Sequence, residues 1–255
     1  MRLDLLLVQK KLANSRTQAQ DLIKNGHVFI LLNGQKKVLL KPNYELQEEQ
    51  FGFVNVDENS LQKFVSRGGL KLESALKHLN LKIQDFMVLD VGQSTGGFTD
   101  CLLQSGAKMV VGIDVGRDQL HPSLKKHPQV RYFESLHVNE LHLNPDFLKA
   151  VPQKSCDLIV ADVSFISLSK VMSFLKPFLK PEGWYLFLVK PQFEAGPNAL
   201  DKNGIVKDEK VYAIVQNSVS EEAKKVFGNV TDYFKSGLAG KDGNQEFFIY
   251  GKNEI

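Results

Sequence analysis

Val88-Leu89-Asp90-Val91-Gly92-Gln93-Ser94-Thr95-Gly96-Gly97-Phe98-Thr99 is a short apolar strand that runs into a glycine-rich turn, after which Gly97 to Gln104 continues with helical spacing. Glycines in such a turn let a ligand approach the backbone where a Cβ would collide. The spacing is not Gly-x-Gly-x-x-Gly and no Gly-Lys-Ser/Thr follows, so pyrophosphate and nucleoside triphosphate are disfavoured. Asp114 ends the next strand, Met109 to Ile113, where an acid accepts hydrogen bonds from both hydroxyls of a ribose. S-adenosylmethionine has that ribose and no phosphate, and it fits the turn. The residues expected to hold it are Asp90, Gly92, Ser94, Thr95, Gly96, Gly97, Phe98, Thr99, Asp114 and Val115.

Working outward, strand and helix alternate from Val65 onward. Leu72, Ala75, Leu76 and Leu79 share a helical face, and Met87 to Val91, Leu158 to Ala161 and Trp184 to Val189 are apolar strands. Ser167 to Leu179 and Lys207 to Lys225 are helical stretches. The alternation predicts an α/β fold with a parallel, doubly wound sheet and its ligands at the carboxyl ends of the strands. Val230 to Phe234 and Glu246 to Tyr250, joined only by the loop Lys235 to Gln245, predict an antiparallel finish.

Upstream, Leu5, Val8 and Leu12 recur at helical spacing, Ser15 can cap a second helix carrying Ala19, Leu22 and Ile23, and Gly26 can stop it. His27 to Leu32, the turn Asn33-Gly34 and Gln35 to Leu40 then read as a hairpin. Up to residue 41 the charges are Arg2, Lys10, Lys11, Arg16, Lys24, Lys36, Lys37 and Lys41 against Asp4 and Asp21, while Glu45, Glu48, Glu49, Asp57 and Glu58 follow. The chain therefore opens with a basic module, although a net charge of +3 over 255 residues by itself implies no polyanion partner. With 43% hydrophobic and 24% charged residues the composition excludes a disordered or low-complexity chain. The longest apolar runs, Leu5 to Val8 and Tyr185 to Val189, are too short to span a membrane, and charges come too early for a signal peptide; a cytoplasmic location is expected. Cys101 and Cys156 read as reduced core thiols, and no histidine has the paired spacing of a metal ligand.

Four charged residues flank these strands. Lys71 lies in Ser66-Arg67-Gly68-Gly69-Leu70-Lys71-Leu72, Asp162 in Val160-Ala161-Asp162-Val163-Ser164-Phe165, Lys190 in Leu188-Val189-Lys190-Pro191-Gln192, and Glu246 opens the last strand. These segments resemble, nearly end to end, the TlyA family of ribosomal RNA 2′-O-methyltransferases, also called haemolysins, whose catalytic domain is FtsJ-like. The first region is similar to the small RNA-binding domain named after ribosomal protein S-four. The resemblance implies a class I, Rossmann-like methyltransferase sheet at residues 65–255, an S-four-type domain at 1–60 and a linker at 61–64. It implies S-adenosyl-L-methionine as methyl donor and ribosomal RNA or ribosomal subunits as partner, with no membrane and no obligate protein partner. The target would be cytidine in small- or large-subunit RNA.

The family's Lys-Asp-Lys-Glu tetrad falls on Lys71, Asp162, Lys190 and Glu246, and its RNA contacts on Arg2, Lys10, Lys11, Arg16 and Arg67. A ribose hydroxyl is a poor nucleophile, so such a set is useful if Lys190 accepts the 2′-hydroxyl proton while Asp162 and Glu246 orient it and hold Lys71. Gln93 stands where the family usually has alanine, and Glu134-Ser135-Leu136-His137-Val138-Asn139 departs from its usual Glu-Arg-Thr-Asn-x-Arg. Two rival readings are a pore-forming protein, against which the lack of a spanning segment argues, and a non-catalytic RNA-binding protein, against which the intact tetrad argues.

Overall fold

The computed structural model describes residues 1–255 apart from positions 14, 25, 33, 57–62, 207, 241 and 255. The chain forms two compact units, Met1–Ser66 and Arg67–Ile255. In the first, helices α1 (Leu3–Gln9) and α2 (Arg16–Lys24) accompany strands β1 (Val28–Leu32), β2 (Gln35–Val38) and β3 (Val54–Val56), which form an antiparallel sheet in the order β2-β1-β3. Ser15 opens α2 by accepting the Gln18 N–H at its Oγ, 3.2 Å away, and Gly26 follows the helix with φ 77°. Leu32 pairs with Gln35, the register of a two-residue hairpin. Asn33 of the expected turn lies outside the described residues, as do Asp57 and Glu58 of the acidic cluster, Lys207 at the start of the expected helix and Lys241 in the last loop.

The buried row of α1 is not the expected one. Leu3, Leu6 and Leu7 are buried, whereas Leu5 is 44% exposed and Val8 and Leu12 only flank the core. From Leu3 to Val8 every residue except Asp4 is apolar, so periodicity alone leaves the rotation of the helix open. Backbone contacts close it: the Leu3 N–H donates to the Tyr44 carbonyl, the Leu46 N–H to that of Met1, and Arg2 bridges Glu45. These contacts turn Leu3, Leu6 and Leu7 toward Ala19, Leu22, Ile23, Val28, Ile30 and Leu46.

The second unit contains α3 (Gly68–His78), β4 (Met87–Val91), α4 (Gly97–Gln104), β5 (Met109–Ile113), α5 (Pro122–Lys125), β6 (Val130–Phe133), α6 (Pro145–Ala150), β7 (Cys156–Ala161) and α7 (Ser169–Leu175). It continues with β8 (Leu179–Val189), α8 (Pro191–Glu194), α9 (Glu209–Phe227), β9 (Asp232–Lys235) and β10 (Phe247–Lys252). Its seven strands lie in the order β6-β5-β4-β7-β8-β10-β9; the first five are parallel and β10 runs antiparallel between β8 and β9. This is the α/β sheet with an antiparallel finish that the alternation predicts. Strand β8 begins at Leu179 rather than Trp184, and the helical stretch expected over Ser167 to Leu179 is α7 followed by a 3-10 helix over Lys176–Phe178.

Successive strand residues alternate between the two faces of the sheet. Leu89, Val91, Val111, Ile113, Ile159 and Phe187 form one buried cluster with Met172 of α7 and Phe227 of α9. Asp90 faces the other side, toward α4, whose Phe98 ring stacks on Phe248 with centroids 6.4 Å apart. Each fully buried Leu or Phe contributes about 1.5–3 kcal/mol, so a core on this scale holds the strand ends rigidly. The chain runs outward from β4 to β5 and β6 and then returns to β7 on the other side of β4, which makes the β4–β7 boundary a topological switch point.

Candidate active site

A cavity of ≈ 590 Å³, ample for a nucleoside, opens beyond the carboxyl ends of β4, β5 and β7. Gly92, Ser94, Asp114, Val115 and Asp162 are among its lining residues. The glycine turn is tied to β5 by the N–H groups of Gly92 and Gln93, which both donate to the Ile113 carbonyl. Asp114 accepts the Ser94 N–H at Oδ2 (2.7 Å) and the Gly116 N–H at Oδ1 (2.6 Å). A carboxylate has about four acceptor positions, which leaves lone pairs for the two hydroxyls of a ribose. Gly92 also answers to the chain itself: at φ 80°, a Cβ there would stand 2.6 Å from the Asp162 carbonyl oxygen. The turn can thus lie against the end of β7 only with glycine at this position.

Glu134 secures the neighbouring loop by accepting the N–H groups of Asp118, Gln119 and Leu120. Burial works against its ionisation, but these bonds and Lys125 hold its carboxyl below the usual range. Gln119, so placed, accepts a hydrogen bond from Ser94 Oγ at 3.1 Å. Within the segment that departs from the family pattern, Glu134 therefore supports the cavity wall, and Leu136 to Asn139 line it.

Beneath the turn, Gln93 donates to Thr99 Oγ1 (2.8 Å) and Thr99 donates to Asp90 Oδ2 (2.6 Å). The Gln93 amide occupies the space over Gly112, where any side chain would overlap it. Asp90 is fully buried; burial pushes its carboxyl up to about 7, with the Thr99 hydrogen bond opposing and the Asp162 charge adding. Of the expected cofactor residues, Asp90, Thr95, Gly96, Gly97, Phe98 and Thr99 stand outside the cavity lining, supporting the turn or the core. The carboxylate with spare lone pairs, the glycine turn and the apolar Val115 and Leu136 fit a ribose-bearing ligand without phosphates, as S-adenosylmethionine is.

Strand register brings the tetrad together. Ala161 lies opposite Phe187 and Val189 opposite Phe247, so Asp162, Lys190 and Glu246 emerge at adjacent strand ends, joined by Lys71 from the start of α3. Lys190 Nζ stands 2.6 Å from Asp162 Oδ1, an ion pair outside hydrogen-bond angles, and donates a hydrogen bond to Ser164 Oγ at 2.8 Å. Lys71 pairs with Glu246. The Lys71, Lys190 and Glu246 side chains are 11% exposed or less, against 23% for Asp162, which is the member that lines the cavity. Burial pushes the Glu246 carboxyl up while Lys71 opposes; the charges of Asp162 and Lys190 also reach it, so the two pairs form one electrostatic unit.

Sequence reasoning missed the residues that hold this edge. Asn244, fully buried, accepts the Val206 N–H and donates to the Gly204 carbonyl and to Asp242 Oδ2. Asp242 Oδ2 also accepts from Gln192, two residues past Lys190. The loop ahead of Glu246 is thereby fastened to the end of β8. Ser164 was legible in principle, because residues two apart at a strand end face the same side and Asp162 stands two positions before it.

In the first unit Arg2 and Arg16 converge on Asp4, which is fully buried. Arg2 donates to both carboxylate oxygens (3.1 and 3.0 Å), and Arg16 Nε (2.9 Å) and Gln20 (3.0 Å) donate to Oδ2. Burial alone would raise the Asp4 carboxyl, but these bonds hold it far below the usual range. Arg16 nevertheless keeps 53% of its side chain exposed. Lys10 donates to the Phe51 carbonyl, and Lys11 is exposed. Arg67 is half-buried at the start of α3, four residues before Lys71, in the second unit.

The reversed strand β10 between β8 and β9, with a glycine turn after β4 and an acid at the end of β5, is the architecture of a class I methyltransferase. The FtsJ-like methyltransferase family matches residues 64–253, and the S4 domain family matches residues 1–50. The chain belongs to the FtsJ-like methyltransferases, in the TlyA group that joins this domain to an S4 domain. A Bacillus subtilis protein, YqxC, described as a candidate rRNA methyltransferase, is 39% identical over 98% of this chain and 84% of its own length. The Mycobacterium tuberculosis 16S/23S rRNA (cytidine-2′-O)-methyltransferase TlyA is 36% identical over 98% of this chain and 88% of its own. A Streptococcus thermophilus structure described as a candidate hemolysin matches 99% of this chain and 88% of its own at 35% identity, with a TM-score of 0.74.

Proposed function

We propose that the protein transfers a methyl group from S-adenosylmethionine to a ribose 2′-oxygen of ribosomal RNA, at cytidine. The observation that carries the reading is the pair of facing ion pairs, Lys190 with Asp162 and Lys71 with Glu246, at the edge of a cavity whose other wall is the Asp114 carboxylate. The bound cofactor supplies an electrophilic methyl on a sulfonium. Asp114 receives ribose hydroxyls of the cofactor, and the glycine turn lets them come close. Once Lys190 has given its own proton to solvent, Nζ accepts the proton of the target 2′-hydroxyl, and the Asp162 carboxylate holds the ammonium that forms again. Glu246 keeps Lys71 beside the reacting oxygen, where its charge stabilises developing negative charge. The buried, hydrogen-bonded surroundings fix these groups before the RNA arrives, so little is spent on reorganisation.

The relatives named as cytidine-2′-O-methyltransferases support cytidine as target, and the S4 domain supports RNA capture by the first unit. Arg2, Lys10, Lys11 and Arg16 are its candidate phosphate contacts, with Arg67 near the tetrad. A ribosomal substrate supports a cytoplasmic location; among the described residues no helix is long and apolar enough to cross a membrane. The test compares label transfer from methyl-labelled cofactor to purified ribosomal subunits with dye release from liposomes. Label in RNA without dye release is expected; dye release without label would favour the haemolysin reading.

A further inference from the structure

We propose that Ser164 is a positioning residue for this reaction: its hydroxyl, acting with Asp162, sets the direction in which Lys190 Nζ meets the target hydroxyl. The proposal rests on the function proposed above.

Asp162 and Ser164 follow β7 as alternate residues, and both line the cavity. Their oxygens lie 2.6 and 2.8 Å from the same nitrogen. A tetrahedral lysine nitrogen has three directions besides its bond to Cε. Ser164 accepts along one of them, while Asp162 stands beside the nitrogen as an ion-pair partner outside hydrogen-bond angles. The four-carbon stem of lysine is flexible, and the charge of Asp162 alone attracts the nitrogen without aiming it. The directed bond to Ser164 supplies the aim and leaves another direction for the ribose oxygen. Asp162 carries charge and balances the ammonium; Ser164 is neutral and accepts from Nζ whether or not the target proton has arrived. Its contribution is therefore to direction rather than to charge. Ser164 is exposed, so its substitution opens no hole in the core.

The test uses the full chain, ribosomal subunits and saturating cofactor, with kcat and KM measured from about pH 6 to pH 9. Ser164→Ala should lower kcat by about tenfold to a hundredfold, the worth of one hydrogen bond to a charged group. KM for RNA and for cofactor should stay the same, and the kcat–pH profile should keep its wild-type shape, because direction and not charge is lost. Ser164→Thr, which keeps the hydroxyl, should restore most of kcat. Wild-type kcat in Ser164→Ala would overturn the proposal, as would a displaced pH profile, a loss that Ser164→Thr does not repair or a loss that falls on KM. Absence of ribose methylation by the unaltered protein would instead overturn the proposed function.

Discussion

Two buried carboxylates show how single residues set opposite responses to pH. Asp90 is fully buried with one hydrogen bond from Thr99, and its carboxyl is pushed up to about 7. An unfolded aspartate titrates near ~3.9, so between about pH 4 and pH 7 the folded state binds the extra proton and its stability falls as pH rises. Asp90→Asn keeps the shape without the charge. Thermal melts from pH 4 to pH 8 should show wild type losing stability relative to Asp90→Asn up to about pH 7, then a constant gap; a gap constant throughout would refute the assignment. Asp4 has the reverse sign. Its carboxyl is held far below the usual range by Gln20, Arg2 and Arg16, so its contribution is complete above about pH 4 and disappears on further acidification. Asp4→Asn should abolish that acid sensitivity of the first unit, and an unchanged acid transition would count against the Asp4 network.

At the scale of elements, what was legible followed from strong local signals. The strand over Met87–Val91, the glycine turn, the helix over Gly97–Gln104 and the strand over Met109–Ile113 stand where apolar runs and glycines place them. The misses have physical causes. α1 has apolar residues on too many sides for periodicity to orient it, β3 is three residues long, and β6 carries the exposed Arg131 and Tyr132 on an outer strand. The candidate tetrad was readable as four charges near strand ends, but its two pairings depend on the β7–β8 and β8–β10 registers, which no local pattern encodes. The Asn244 clamp was invisible for the same reason, since its partners lie at Gly204 and Val206, far away in the chain. Asn244→Ala would leave those backbone groups unpaired, at a cost of about 1–3 kcal/mol. Because the clamp holds the loop ahead of Glu246, methyl transfer should fall while cofactor affinity, read by calorimetry, stays close to wild type. Full activity in Asn244→Ala would mean that Glu246 is positioned without the clamp.

For the molecule as a whole, the proposed function divides labour between a basic S4 unit for RNA capture and a unit that carries the glycine turn and the four charged residues. Deletion of residues 1–66 should leave a folded, cofactor-binding core, since the second unit has its own sheet and buried cluster. Arg16→Glu is a poor probe of capture because it sets a second carboxylate beside buried Asp4. Lys11→Glu, on an exposed side chain, is cleaner. It should weaken RNA binding and flatten its salt dependence by a slope of about 0.7–0.9 for each phosphate no longer neutralised; slopes equal to wild type would assign capture to the second unit. The central claim is that Lys190 enables methylation of a ribose 2′-oxygen. Its most direct measurement is to incubate ribosomal subunits with methyl-labelled cofactor and either wild type or Lys190→Ala, digest the RNA, and identify the labelled nucleoside. The expected result is 2′-O-methylcytidine with wild type and a fall of about a hundredfold or more with Lys190→Ala, whose cofactor and RNA affinities stay intact. Label on a base, or undiminished transfer by Lys190→Ala, would contradict that claim.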